Sequence, residues 1–374
     1  MTIIIKEVLK EDELHDFIRF PERLYKNEPG YFPPIRSEEV KTFDHNTNLA
    51  FDYCDARLWL AIRNKKVVGR VAGIINHRYN DNREVKYARF GWLDFIEEQE
   101  VLEKLLHTVE VWAMENDLYV VHGPLGFTSF DPSGVLIEGF GETLTSYARF
   151  NYPYYGKLID ACGYKKEIDW VEYDIAMPDE IPERIVRGAE LVKNRYHLRH
   201  VKIKNRRDLV NYAGEIFKLI NRSYSGLYGF SEISKEQTKR IIKANWLLLK
   251  RAYTSLIVDE QNKLVGFGLA FPSLSDALKK INGAITLRGY FSLYKSLKHH
   301  QTADLLLIAV RNDYKRKGVN AMIFHEIGQK FLENGIKHIE TTKELEKNRD
   351  INQLWNKLEA RQHKRTRCYR KNLT

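Results

Sequence analysis

The run Leu305-Leu306-Leu307-Ile308-Ala309-Val310-Arg311-Asn312-Asp313-Tyr314-Lys315-Arg316-Lys317-Gly318-Val319-Asn320-Ala321 sets an apolar strand, a basic glycine-containing turn and a helix start in immediate succession. That order builds an anion cradle. The first amides of a helix lack intrahelical acceptors, the helix dipole favours negative charge there, and Lys315, Arg316 and Lys317 add cations. Gly318 permits positive φ or close backbone approach to a ligand. The spacings GxxxxGK[ST] and GxGxxG are both missing, which excludes the two commonest nucleotide loops.

A second segment that could do chemistry is the connection from Gly123 to Phe140, too long and too apolar for a plain linker. Asp131 and Glu138 within it are candidates to pair with a substrate cation. The competing reading is a loop packed against the domain interface. The stretch 277–300 carries Leu278, Ile281, Ile285, Leu287, Tyr290, Phe291, Leu293, Tyr294 and Leu297 with lysines between them. An amphipathic insertion of this kind touches an anionic membrane or covers the substrate cleft or partner domain, the second being the expectation. The basic tail 363–371 reads as a solvated edge strand guarded by charge. Twelve histidines show no HExxH or other ligand spacing, so no metal site is expected.

The elements that must position these residues fall into two similar series. Residues 1–178 read as strand, helix, hairpin, strand, the long helix 99–116, a short strand, the helix Tyr154–Ala161 and a strand at Trp170–Ala176. Residues 179–374 repeat the order: a strand at Leu198–Ile203, helices over 206–223 and 235–250, a hairpin, the insertion, the strand Leu305–Val310, a helix over 321–334, a strand at Lys337–Thr341 and a helix over 351–360. The proline-bracketed Pro178–Pro182 marks the boundary. The fold class is α/β with a mixed sheet, from tandem duplication of one unit.

With 374 residues and 43% hydrophobic content, the chain has material for two cores. No run is long and apolar enough to span a membrane, and no secretory leader is expected. The three cysteines, Cys54, Cys162 and Cys368, are widely spaced, which excludes a disulfide framework and fits a reducing cytoplasm. Charge is divided unevenly. Residues 1–187 hold 23 Lys+Arg and 33 Asp+Glu, whereas residues 188–374 hold 37 and 17. The basic half should attract a polyanion, or else the two halves attract each other.

The strand, basic turn and helix at 305–321 resemble the GNAT acyltransferase superfamily. There a strand leads into a loop of pattern Gln/Arg-x-x-Gly-x-Gly/Ala whose amides hold the pyrophosphate of acetyl-coenzyme A. Aligned on Gly318, the first position is Lys315, which keeps charge, and the last is Asn320, which tolerates left-handed backbone less well than glycine. Asn348-Arg349-Asp350-Ile351-Asn352-Gln353-Leu354-Trp355-Asn356-Lys357-Leu358 is similar to the family's Asn-x-x-Ala-Ile-x-Leu-Tyr-Glu-Lys-Leu, with the asparagine, a leucine, an aromatic and Lys-Leu in register. Tyr154-Tyr155-Gly156-Lys157-Leu158 with Cys162-Gly163-Tyr164 resembles the tyrosine helix of a degenerate first copy. That copy has Ile96-Glu97-Glu98 where a phosphate loop belongs.

The resemblance implies tandem GNAT-like domains with one coenzyme site, for acetyl-CoA or another acyl-CoA. Ile308, Val310, Lys315, Arg316, Lys317, Gly318, Val319, Asn320, Ala321 and Asn348 are its cofactor-binding residues. A backbone amide within Leu307–Val310 would hold the acyl carbonyl. For the general base the first candidate is Glu340 and the next Asp304. Trp355 stands where a proton-donating tyrosine is usual, and an indole has no labile proton. The implied activity moves an acyl group, acetyl first, to an amine of a small molecule or peptide bound between the domains, with no specific nucleic acid. Two alternatives stay open: an aminoacyl-tRNA donor, and a catalytically retired ligand-binding module.

Overall fold

The computed structural model describes residues 2–246, 248–251, 253–348, 355, 358 and 360–373. In the first half, β1 (Ile4–Glu7) is followed by α1 (Glu11–Leu24) and α2 (Arg36–Phe43). The hairpin β2 (Cys54–Arg63) and β3 (Lys66–Asn76) follows, then α3 (His77–Arg83), β4 (Tyr87–Phe95), α4 (Gln99–Glu115) and β5 (Val120–Gly123). Next come β6 (Val135–Glu138), α5 (Tyr154–Ala161) and β7 (Lys165–Ala176). The second half opens with α6 (Glu183–Arg195), β8 (Arg199–His200), α7 (Arg206–Asn211), α8 (Ala213–Tyr224) and α9 (Lys235–Ala244). It continues through β9 (Tyr253–Val258), β10 (Leu264–Pro272), α10 (Ser275–Ile281), α11 (Leu287–Lys298) and β11 (Thr302–Val310). It ends with α12 (Val319–Glu333), β12 (His338–Thr341), β13 (Glu344–Leu345) and β14 (Arg361–Asn372). The helix expected over 351–360 lies almost wholly outside the described residues.

Twelve of these strands line up as β1-β2-β3-β4-β5-β14-β7-β12-β11-β10-β9-β8, with β6 on β14 and β13 on β7. The two halves exchange their last strands. β14, from the end of the chain, lies between β5 and β7 of the first half, while β7 passes on to pair with β12 of the second. The tail expected as a charged edge is therefore a central strand. Its cations are neutralised by first-half carboxylates: Arg365 and Arg367 on the buried Asp169, Lys371 on Glu110, and Lys364 on Glu172. A charged strand can sit mid-sheet when every charge has a partner.

Each half covers its sheet on both faces. Val101, Leu105, Val109 and Trp112 of α4 and Tyr155 and Ile159 of α5 fill one face of the first half, and Phe17, Ile18 and Phe43 of α1 and α2 fill the other. In the second half, Met322, Ile323 and Ile327 of α12 and Val192 of α6 cover one face, and Leu219 and Ile220 of α8 the other. β11 is accordingly apolar on both sides from Leu305 onward, as a doubly covered strand must be, with Thr302 and Asp304 the polar residues at its start. The strand expected at Leu198–Ile203 shortens to two residues. The helices expected over 206–223 and 235–250 break at Tyr212 and end at Ala244.

Candidate functional site

β11 and β12 run parallel only from Thr302↔His338 to Leu305↔Thr341. Opposite β10, Leu306 is an extra residue, a bulge between Leu269 and Ala270. Bulges bend and twist a strand, and past this one β11 leaves β12 and continues to Val310 along β10 alone. The wedge that opens holds Ile308 and Val310. Tyr224 Oη of α8 donates to the Ile308 carbonyl at 2.9 Å. In the first half the corresponding divergence of β4 from β5, after Arg89↔His122, is filled from within. Leu125 donates its amide to the Phe90 carbonyl at 2.8 Å, and Tyr154 and Tyr155 bond the backbone of Phe95. Glu98, in the loop before α4, is paired with Arg63. Only the second-half wedge keeps a basic turn beside it.

That turn runs from Arg311, fixed by Asp259 and Asp313, to Gly318, which caps α12 at φ +83°. No side chain caps α12, so the amides of Val319 and Asn320 stay available to an anion. Lys315, Arg316, Lys317 and Gly318 are exposed, and Lys317 Nζ lies about 5 Å from the ring centres of Tyr196 and Tyr314. Val319 is buried in the α6–α12 contact, while the Asn320 Oδ1 is enclosed and has no hydrogen-bond partner in the described structure. Ala321 donates its amide to Gly318, and Asn348 turns the chain after β13 through its amide to Leu345. Phosphate oxygens fit the uncapped, cation-flanked turn.

Trp355 is a core residue against Phe324 and Tyr173, and its indole N–H donates to Glu344 at 3.0 Å. Burial pushes the Glu344 carboxyl up to about 7. The indole that lacks a labile proton thus holds a partly buried carboxyl of raised affinity for protons. Nothing in the sequence marked Glu344, which sits on a two-residue strand.

On the same β11, at its other end, lies a charged cluster. Asp304 is 1% exposed, and burial, then the neighbouring Glu340, push its carboxyl up to about 7. Ser273 bonds this carboxyl, and its Oδ1 has no partner in the described structure. Glu340 stands opposite Asp304 on β12 and is also raised by burial. Lys364, whose side chain is fully enclosed, reaches Glu172 at 3.2 Å, Glu340 at 3.8 Å and the Thr143 carbonyl at 3.0 Å. Nearby, burial lowers Lys343 to about 8, and its ammonium donates to the Ser133 carbonyl of the first half.

Above the cluster opens a cavity of about 820 Å³ lined by both halves: Glu142, Thr143 and Asp174 from the first, Ser273, His300, Glu340 and His363 from the second. Two bonds from Arg361 hold Glu142 down at about 2, and the same guanidinium pairs with Asp174 at 3.2 Å, which leaves Glu340 as the strand carboxylate of the cavity that Arg361 does not bond. Among the described residues no three His, Cys, Asp or Glu side chains are grouped as metal ligands.

Of the first-half candidates, neither reaches this cavity. Asp131 accepts the Thr128 amide at 2.7 Å and closes its own loop, its carboxyl raised by burial there. Glu138 pairs with Arg365 on an exposed edge. The loop that carries them is packed down, with Leu125 and Phe127 buried and Arg89 holding the Gly126 carbonyl. The residues that face the cavity from this region, Glu142 and Thr143, follow the loop rather than belong to it.

No family model matches the chain. Protein YghO of Escherichia coli (strain K12) is 22% identical over 387 residues, covering 99% of this chain and 95% of that protein. A protein of Caulobacter vibrioides named bacterial ceramide synthase is 23% identical over 316 residues, 81% and 79% of the two chains. Among solved structures, a tandem GNAT protein from the clavulanic acid biosynthesis pathway superposes with a TM-score of 0.58 at 13% identity, over 99% of this chain and 98% of that one. The strand order, the wedge after the β11 bulge and this superposition agree: the chain has the tandem GNAT fold.

Proposed function

We propose that the protein is an acyl-CoA-dependent N-acyltransferase with its acceptor amine in the cavity between the halves. One observation carries the reading. A single strand, β11, joins a buried carboxylate pair at one end to an uncapped, cation-flanked helix start at the other. Six residue steps of strand take the chain from Asp304 to Val310, roughly 20 Å, which suits a donor whose reactive group is remote from its phosphates. Lys315, Lys317, Gly318 and the first amides of α12 would hold those phosphates, and Ile308 and Val310 would line the arm. When bound, the acyl-CoA supplies a thioester carbonyl.

In this reading Glu340 attracts the acceptor's ammonium group. The Asp304–Glu340 pair takes the proton that nitrogen loses as its bond to the acyl carbon forms, and raised carboxyls suit that task near neutral pH. As the carbon–sulfur bond breaks, Glu344 returns a proton to the sulfur. Glu340 in the cavity wall favours an amine over an anionic acceptor. Because the cations of β14 are already paired with first-half carboxylates, the charge of the second half lends less support to a tRNA donor. The name of the Caulobacter relative favours a second donor class, since ceramide is an N-acylated lipid. A long-chain acyl-CoA is therefore tested beside acetyl-CoA.

The test is calorimetric titration with coenzyme A, acetyl-CoA and a long-chain acyl-CoA, on the wild type and on a Lys315→Glu/Lys317→Glu variant. Binding lost in the variant supports the reading. Absence of binding to all three refutes it. The charge variant is the cleaner control, because a side chain at Gly318 would strain a φ of +83° and meet Val192 Cγ2 at 2.9 Å.

A further inference from the structure

Sequence patterning led to the expectation that the insertion would turn its apolar residues onto the cleft or the partner half. Only part of it does. Ala277 and Ile281 of α10 and Leu297 of α11 are buried, but the other face of α11 is bare. Leu287 is 83% exposed, Phe291 69%, Tyr294 55% and Tyr290 50%, and Ile285 just before the helix is 52% exposed. Five of the eleven large apolar side chains exposed among the described residues therefore fall within ten positions. Leu287, Tyr290, Phe291 and Tyr294 recur at intervals of three and four, so they share one stripe. Lys295 and Lys298 continue that stripe, and Lys280 is exposed on α10.

A contiguous apolar stripe of this kind is unusual on a surface that faces only water. Its composition selects the occupant. Aromatic and leucine side chains edged by lysines, on a helix about 18 Å long, are the elements of an interfacial helix that lies in the headgroup plane. Lysines at the rim add attraction to anionic lipid. No helix is long and apolar enough to cross a bilayer, so this contact is made on the surface. The end of α11 is also a wall of the cavity, through Ser296, Lys298 and His299. We propose that α11 docks the protein on an anionic membrane surface and so brings the cavity mouth to the lipid boundary.

The test is co-sedimentation of the full chain with vesicles of phosphatidylglycerol and phosphatidylcholine in equal parts, and with phosphatidylcholine alone. The wild type is expected to pellet with the anionic vesicles and much less with the neutral ones. Leu287→Glu/Phe291→Glu should weaken partitioning by at least about tenfold, while Leu191→Glu, at another exposed leucine, should change nothing. Lys280→Gln/Lys295→Gln/Lys298→Gln should flatten the salt dependence. Failure of the wild type to bind anionic vesicles overturns the proposal, as does binding that survives the double glutamate variant. A dimer in light scattering that Leu287→Glu/Phe291→Glu converts to monomer also overturns it, since the stripe would then be covered by a second copy. Binding is read without turnover, so this result and the fate of the acyltransfer reading are separate.

Discussion

Replacing Asp304 with asparagine should stabilise the protein at neutral and alkaline pH while abolishing its proposed chemistry. Burial, and then Glu340 beside it, raise the Asp304 carboxyl from the usual 3.8 to about 7. A displacement of that size corresponds to about 4 kcal/mol against the ionised form. The sign follows directly. A carboxyl raised in the folded state contributes its full stability below about 4 and loses it as the pH climbs through about 7. Asparagine keeps the shape and cannot ionise. At pH 4 the variant should match the wild type within about 1 kcal/mol. At pH 8 it should be more stable by about 2–4 kcal/mol, the lower figure applying if Glu340 relaxes once its neighbour is neutral. Urea unfolding at pH 4, 6 and 8 measures the difference. Amine acylation at saturating substrate should fall by at least about a hundredfold. A variant destabilised at pH 8 would refute the reasoning, because Asp304 would then be a satisfied ion rather than a strained one.

Glu344→Gln should lower kcat by about a hundredfold with KM little changed, because it removes a proton donor and keeps the Trp355 contact. The wild-type rate should decline above about pH 7 as Glu344 ionises, and steady-state kinetics across pH 6–9 would show whether that limb disappears in the variant. Asp169→Asn should cost about 3 kcal/mol at pH 7, since it strips the buried partner from Arg365 and Arg367. Burial alone would raise Asp169, but bonds from Arg367 and Lys166 outweigh it and hold the carboxyl low. Its stabilisation is therefore present above the usual 3.8 and fades as the pH falls through the lower folded value. Denaturant midpoints for the two proteins should converge in acid. Gly268→Val should cost about 1–3 kcal/mol in thermal unfolding, because even a Cβ there meets Ile323 Cγ2 at 2.4 Å and Ile327 Cδ1 at 2.7 Å.

What the sequence disclosed was local. The apolar run before Arg311, the glycine at 318 and the periodicity of α4 and α5 each speak through neighbours in the chain, and their elements are found where expected. Glu340 was legible at the end of an expected strand and Asp304 just before another, and in the structure they are partners across β12 and β11. What stayed hidden depended on pairing across the chain. Glu172 and Lys364 are nearly two hundred residues apart, and each by itself looks like a solvated charge. The only trace was alternation: Glu172 and Asp174 interleave with Val171, Tyr173 and Ile175 in β7, the pattern of a strand with one polar face. Nothing local says that β14 pairs along that strand. Asp131 and Glu138 bond Thr128 and Arg365, and charge in a long loop does not by itself reveal whether it serves the loop or a ligand.

The strand exchange accounts for several of these features together. With β14 between β5 and β7, the basic end of the second half lies against the acidic end of the first, and part of the charge imbalance becomes internal pairing at Glu172, Asp169 and Glu110. The same arrangement supplies the cavity. β7 brings Asp174 beside β12, β14 brings His363 and Lys364, and the segment after β6 brings Glu142 and Thr143 over them. Neither half has these groups alone. The first half, whose own wedge is filled by Leu125, Tyr154 and Tyr155, is thus more than a remnant of duplication. It supplies one wall of the cavity and the strand that joins β12 to the rest of the sheet. Because Tyr369 of β14 sits in the first core and Val171, Tyr173 and Ile175 of β7 sit in the second, disrupting the exchange should weaken both cores as well as remove the cavity.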